Sequence, residues 1–210
     1  MSIECENKNE RRTQRTIAKL LEAAEKVFIR DGYEGAQLAE IASFAGRSKG
    51  ALYGHFKSKE DLFFSLVEHR VQIYAKHFAL RTEKCTNEKE QITALCRSFE
   101  EAIQDKSFTI LILEFKLYLL RHPQSDPRLF KALQMTRPTS KDWQSRLAVW
   151  PTATQRADFD LALAAIGSML SGLILESHFD PERLSDRVLK KLTRRQFRLL
   201  FPASSVVTRS

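Results

Sequence analysis

Apolar residues fall at Ile17, Leu20, Leu21, Ala24, Val27 and Phe28, the i, i+3, i+4, i+7 spacing of one helix face. No stretch of the chain sustains the apolar–polar alternation of a strand. That periodicity constrains the fold more than any single residue does. The seven glycines and six prolines agree with it, because a sheet protein of 210 residues needs many tight turns. The expected fold is all-α with about nine helices: a small N-terminal three-helix unit and a larger helical body. At 43% hydrophobic residues, the chain can bury a real core.

Local punctuation sets the helix limits. Asp31-Gly32 ends the first helix, glycine being free to turn left-handed. A short helix from about Leu38 to Phe44 is broken by Gly46, and Ser48 caps a second, from about Lys49 to His55. Glu60 and Asp61 open a long helix whose apolar face includes Leu62, Leu66, Ile73 and Tyr74. Asn87 and Glu90 form a capping-box pattern for a helix to about Gln104. Another runs from about Phe108 to Leu120. Asp126-Pro127 suits the start of a helix that Pro138 would kink, and Pro151 marks a further break. Long helices are expected from about Thr154 to His178 and from about Ser185 to Leu200. Residues 1–13 read as a flexible polar tail, and 204–210 as another.

Several function classes find no support. Cys5, Cys85 and Cys96 are odd in number and far apart, which argues against a disulfide framework or a zinc site. The five histidines make no metal-binding helix pattern, and phosphate-loop and nucleophile-elbow motifs are missing. The expectation is a non-enzyme with no catalytic residue, metal or cofactor. Met1 to Gln14 is polar, without the apolar run of a secretory signal, so the cytoplasm is the expected compartment. The charge-free stretch Leu161–Leu175 spans ~22 Å as a helix, short of a ~30 Å hydrocarbon core. It reads as a buried helix.

The net charge of +8 matters where it clusters. Between Gly46 and Lys59 the chain carries Arg47, Lys49, Lys57, Lys59 and His55, and no acid. Leu38, Ile41, Ala45 and Leu52 can form a small core that fixes two short helices at an angle, with Ala42 allowing a close crossing and Gly46 the turn. The second helix then projects Ser48, Lys49, Gly50, Tyr53 and His55 outward. This is a helix-turn-helix over residues 37–56, whose second helix enters the major groove of DNA. Gly50 and Gly54 each cost a helix up to ~1 kcal/mol against alanine, which makes sense where another surface must approach closely.

The order of residues is more specific than the motif. Glu40-Ile41-Ala42, Ala45-Gly46, Ser48-Lys49-Gly50-Ala51-Leu52-Tyr53-Gly54-His55-Phe56 and Lys59-Glu60-Asp61-Leu62-Phe63 resemble the signature of the tetracycline-repressor (TetR) family, as do Val27-Phe28 and Asp31-Gly32-Tyr33 before them. The resemblance covers about Arg15 to Leu66. It implies a homodimeric, one-component regulator, usually a repressor, that leaves a palindromic duplex operator when a small molecule binds. It implies a DNA-binding domain over 14–74 and an effector-binding and dimerisation domain over 75–203. It also implies that Lys49, Tyr53 and His55 face DNA and that Lys59 holds a phosphate.

Two positions depart from the pattern. Gln37 stands where a capping threonine is usual, and it can still reach a phosphate oxygen. Arg47 replaces an apolar residue. Either its stem lies on the core and its guanidinium meets the DNA backbone, or it is simply exposed and weakens the turn. The candidate DNA-facing set is therefore Gln37, Arg47, Ser48, Lys49, Gly50, Tyr53, Gly54, His55, Lys57 and Lys59.

In the body, Phe99, Ile103, Phe108, Leu111, Phe115, Tyr118, Trp143, Trp150 and Met169 could line a cavity for an apolar or amphipathic effector, or could be plain core. Ala165, Ser168 and Gly172 on one helix, with Leu184, Val188, Leu192 and Leu199 beyond it, suit a symmetric four-helix dimer interface or intrachain packing. Arg183, Arg187, Lys190, Lys191, Arg194, Arg195 and Arg198 form either a solvated face or a second nucleic-acid surface. Two rival classes stand beside the ligand-controlled repressor: a DNA-bound interaction protein with no effector, and a helical carrier that has lost DNA binding.

Overall fold

A computed structural model describes residues 8–124 and 153–201, and these form eight helices and no strand. In chain order they are α1 (Lys8–Gly35), α2 (Leu38–Phe44), α3 (Lys49–Tyr53), α4 (Lys59–Thr82), α5 (Glu88–Gln104), α6 (Lys106–Arg121), α7 (Ala153–Glu176) and α8 (Asp186–Leu200). Trp143, Trp150, the helix expected after Asp126-Pro127 and the breaks at Pro138 and Pro151 lie outside the described residues, as does the tail 204–210. One boundary is corrected. Residues 8–13, assigned to the flexible tail, are the first turns of α1. Glu10 there suits the positive end of the helix dipole.

The helices start and stop where side chains satisfy their free ends. Ser58 Oγ accepts from Asp61 N at 3.0 Å to open α4, and Asn87 Oδ1 accepts from Glu90 N at 3.0 Å to open α5. Asp105 caps α6 through Phe108 N. The same carboxylate takes the Tyr74 hydroxyl at 2.7 Å and pairs with Arg70, so one residue ties the α5–α6 corner to α4.

Burial divides the apolar residues into three clusters. The largest joins α1–α4 to α6 and includes Leu20, Val27, Phe28, Ile41, Leu52, Phe63, Leu111, Phe115 and Tyr118. A second gathers Leu95, Phe159, Leu163, Ile166 and Phe197 from α5, α7 and α8. The third holds Ile103, Leu170, Ile174 and Leu189. The three-helix head thus shares its core with α4 and α6, while α8 packs on α5 and α7.

Helix α7 corrects an expectation. Its apolar stretch Asp158–Glu176 is 19 residues, ~28 Å at 1.5 Å per residue, so length no longer separates it from a membrane span. Packing does. Phe159, Leu163, Ile166, Leu170 and Ile174 are built into the body core. It is not a fully buried helix either. Its opposite face leaves Leu161, Ala165, Ser168, Gly172 and Leu175 exposed, and Phe179 follows on the same side just beyond the helix end.

Candidate nucleic-acid interface

The turn between α2 and α3 is closed by two backbone bonds. Gly46 N donates to Ser43 O at 2.9 Å and Arg47 N to Ala42 O at 2.8 Å, the paired 5→2 and 6→1 bonds of a Schellman stop. Gly46 takes φ +63° to allow them. An apolar residue at position 47 would usually close this motif against the preceding turn. Arg47 instead stays exposed and sends Nη2 to Thr16 Oγ1 on α1 at 3.3 Å. Thr16 is itself buried and donates to Arg12 O. The arginine therefore ties the turn to α1, a role that neither sequence reading of it foresaw.

Ser48 then opens α3, its Oγ accepting from Ala51 N at 3.1 Å. Leu52 points inward and is fully buried, with Phe56 behind it. Ser48, Lys49, Gly50, Tyr53 and Gly54 are exposed together, and His55 is half-buried. Lys49 Nζ stands 5.8 Å from the Tyr53 ring centre, over its face. Gly50 and Gly54 both have negative φ, so backbone strain does not require glycine at either position. A Cβ on Gly50 would meet only Ser48 Oγ, at 3.9 Å. The protein's own packing gives no reason for glycine there, and the space above it is open.

Around this helix the remaining candidates divide. Gln37 precedes α2 in extended backbone and makes no side-chain cap, as expected of glutamine. Lys57 is exposed, its backbone N held by Asp61 Oδ2 at 2.9 Å. Lys59 is turned partly inward. Its ammonium donates to Glu34 O at 3.0 Å and Ala36 O at 3.2 Å and lies 4.7 Å from the Tyr33 ring centre. Two of its three donors thus fasten the α1–α2 corner, leaving one for a phosphate.

The head is held to the body by one ridge of α6. Glu114 Oε1 accepts from Tyr33 N at 2.7 Å, just past the kink at Gly32 (φ +70°). One turn on, the Tyr118 hydroxyl donates to Glu60 Oε1 at 2.9 Å, and its ring packs 4.2 Å from that of Tyr33. Burial and the Tyr118 neighbour push the Tyr33 phenol well above its ordinary pKa. After a further turn His122 Nε2 meets Glu34 Oε1 at 3.2 Å. Sequence reasoning missed Glu114, although it is the only acid in α6 and sits amid apolar residues.

The described cavity candidates divide between separate cores rather than meeting around one space. Leu111, Phe115 and Tyr118 belong to the head–α6 core, where Phe115 packs edge-on against Phe63 at 5.4 Å. Phe108 stacks on Tyr74 at 4.7 Å. Ile103 lies in the separate α5–α7–α8 core, and Phe99 packs against Phe197 at 5.4 Å. Met169 is half-buried on α7. Of the dimer candidates, Ala165, Ser168, Gly172 and Leu199 are exposed, and Leu184, Val188 and Leu192 are half-buried. Leu161, Leu175 and Phe179 complete the open stripe and were not anticipated.

Residues 20–66, spanning most of α1 to the first turns of α4, match the family described as "Bacterial regulatory proteins, tetR family". The head is therefore similar to that of tetR-family regulators. It is 26% identical over 186 residues to the HTH-type transcriptional regulator YerO of Bacillus subtilis, covering 83% of this chain and 62% of YerO. It is 36% identical over 102 residues to the HTH-type transcriptional activator FasR of Mycolicibacterium smegmatis, covering 48% and 43%. The matches therefore span less than two thirds of either relative. The TetR-like fold extends through the body as well. The fatty acid degradation regulator FadR of Bacillus halodurans aligns with a TM-score of 0.65 at 20% identity, over 90% of this chain and 99% of FadR.

Proposed function

We propose that this TetR-family chain is a dimeric, sequence-specific DNA-binding transcriptional regulator, acting as a repressor in the cytoplasm. The observation that carries the reading is the outer face of α3. Lys49, Gly50 and Tyr53 stand exposed beside Arg47 and Lys57, with open space above a glycine that the fold itself does not need. Such a face suits insertion into the major groove, with Lys49 and Tyr53 on base edges. Gln37, Arg47, Ser48, Lys57 and the remaining donor of Lys59 suit the flanking phosphates, while Gly54 and His55 suit close approach at the end of α3. Relatives include both an activator and a repressor by name. Repression is the simpler assignment, since occlusion of a promoter requires only DNA binding.

The open stripe Leu161, Ala165, Ser168, Gly172, Leu175 and Phe179 supports a two-fold interface between α7 and α8 of two copies, with Leu184, Val188, Leu192 and Leu199 at its edge. A palindromic operator follows from that symmetry. A small apolar or amphipathic effector that bound the body could act through the α6 ridge, because Glu114, Tyr118 and His122 hold the head at three points. The FadR of Bacillus subtilis, solved with stearoyl-CoA, illustrates what a body of this fold accommodates.

A second reading has its own observation. Leu111 and Phe115 are fully buried in one cluster and Ile103 in another rather than around one space, which favours a DNA-bound interaction protein without an effector. Operator selection from random duplexes tests the first claim. A palindromic consensus should emerge, and Lys49→Ala should lose discrimination of ~1–3 kcal/mol at a base position. Selection without a consensus would overturn it. A thermal-shift screen of apolar and amphipathic metabolites, with operator release by each hit, decides between the effector and interaction readings.

A further inference from the structure

We infer that the outer ridge of α8, with Arg97 of α5 beside it, is a second polyanion-binding surface that takes the phosphate backbone of duplex nucleic acid. Arg187, Lys191, Arg194 and Arg198 recur at i+4, i+3 and i+4, so they form one line along the helix, ~17 Å long at 1.5 Å per residue. All four are exposed. Arg187, Lys191 and Arg198 make no ion pair among the described residues. Arg194 is held by Glu100, and the one acid on α8, Asp186, is paired with Lys106 at 3.4 Å. Arg97 is exposed on α5 without an ion pair among the described residues, and it shares with Arg194 and Arg198 the surroundings of Cys96. The local excess of positive charge is thus left open.

The chemistry selects the partner. An amphipathic helix that binds lipid dips its apolar face into the bilayer. Here Leu189, Thr193 and Phe197 are buried against α5 and α7, so that face is already spent. What remains is a rigid row of cations in which arginine, the residue suited to forked phosphate contacts, predominates. A duplex carries one charge per ~1.7 Å of axis, so the row spans about ten of them. The ridge turns away from the apolar edge Val188, Leu192 and Leu199, and a dimer joined there would leave it free. It stands on α5 and α7, which α4 and α6 join to the reading head. The ridge can therefore take a second duplex segment while α3 holds an operator, and its action does not depend on the operator reading.

The test uses the full chain and a labelled random-sequence duplex, titrated by anisotropy at several salt concentrations. The variant Arg97→Gln, Arg187→Gln, Lys191→Gln, Arg198→Gln removes four exposed cations that make no ion pair among the described residues. If all four meet phosphates, the log–log salt slope flattens by ~3.6. Raising salt from ~50 to ~200 mM then weakens the unchanged chain by ~150-fold more than the variant. A companion carrying Arg97→Lys, Arg187→Lys and Arg198→Lys should keep the steep slope, separating charge from any folding defect. A head variant, Lys49→Ala with Tyr53→Ala, should lose operator preference yet keep the ridge-dependent slope, so failure of the operator reading and failure of the ridge are told apart. An unchanged slope in the glutamine variant overturns the proposal. So does ridge-dependent binding to phosphatidylserine vesicles without ridge-dependent binding to the duplex.

Discussion

Gly32 and Gly46 both take positive φ, +70° and +63°, but Gly32 combines it with ψ 174°, a region open essentially to glycine alone, and the two also differ in what surrounds them. A Cβ on Gly46 would meet nothing within 4 Å, whereas on Gly32 it would lie 3.1 Å from Glu114 Oε1. That oxygen cannot simply swing away, because it accepts the Tyr33 N–H at 2.7 Å. Gly46→Ala should therefore report backbone strain alone, and Gly32→Ala strain together with damage to the head–body contact. Left-handed backbone costs alanine ~1–2 kcal/mol, and the stiffer unfolded chain returns ~0.4–1 kcal/mol. Gly46→Ala should then destabilise by roughly 0.5–1 kcal/mol. At Gly32 the backbone region costs alanine ~1–3 kcal/mol, and the substitution adds part of a hydrogen bond to a charged acceptor, ~1.5–3 kcal/mol when whole, so Gly32→Ala should destabilise by roughly 2–4 kcal/mol. In a Glu114→Ala background that extra part has already gone, so Gly32→Ala should fall to the cost of its backbone strain alone. The coupling is ~1–2 kcal/mol, well above the additivity error for independent sites. Urea unfolding followed by far-ultraviolet circular dichroism measures it, at one fixed protein concentration because self-association moves the midpoint. If Gly32→Ala costs the same with and without Glu114, the assignment of Glu114 as the clamp on the head is wrong.

Light scattering at micromolar concentration should return twice the chain mass, and Gly172→Arg with Phe179→Asp, on the open stripe of α7, should return a monomer; a monomer from the unaltered chain would refute the interface. Arg47→Ala should destabilise the head by less than ~1 kcal/mol, the scale of one exposed hydrogen bond, and weaken operator and random DNA alike, as titrations on both would record. Lys59→Ala should do both more strongly, since its ammonium carries two carbonyls of the α1–α2 corner as well as any phosphate. Burial raises the Glu25 carboxyl above its ordinary 4.5 despite Arg70 at 3.6 Å. The folded chain then keeps that proton where the unfolded chain releases it. The stabilising contribution is full below 4.5 and is lost as pH rises through the raised value. Any advantage of the unaltered chain over Glu25→Gln should accordingly shrink from pH 4.5 upward, read from urea midpoints.

What the sequence disclosed and what it withheld divide along one physical line. The α2–α3 turn was legible because its determinants are local: Gly46, the Ser48 cap and the inward Leu52 act within a few residues of one another, and each residue type permits few alternatives. The start of α1 was misplaced because polar residues 8–13 carry no apolar periodicity, and only their continuity with the buried face from Thr16 onward makes them helical. Arg47 was ambiguous for a related reason: its partner Thr16 lies 31 residues earlier, and nothing near position 47 announces it.

The aromatic residues of α6 were the hardest to assign. Phe115 and Tyr118 look the same in a sequence whether they line a cavity or close a domain junction, since either role asks only for apolar bulk at helical spacing. The difference lies in Glu114. A carboxylate among those residues must find a donor or remain outside. Its neighbours on the same ridge, at i+4 and i+8, are Tyr118 and His122, both able to bond a polar group at their tips. A row of three polar tips beside the apolar face of a helix is a poor lining for an apolar cavity and a good seam between two packed units. Each of the three partners lies 58 to 88 residues away, in the last turn of α1 or at the start of α4. Those positions flank the recognition helix on both sides in the chain. A shift of α6 along its own axis would load both flanks at once, so any effector that acts on DNA affinity through α6 has to change the fit of this ridge.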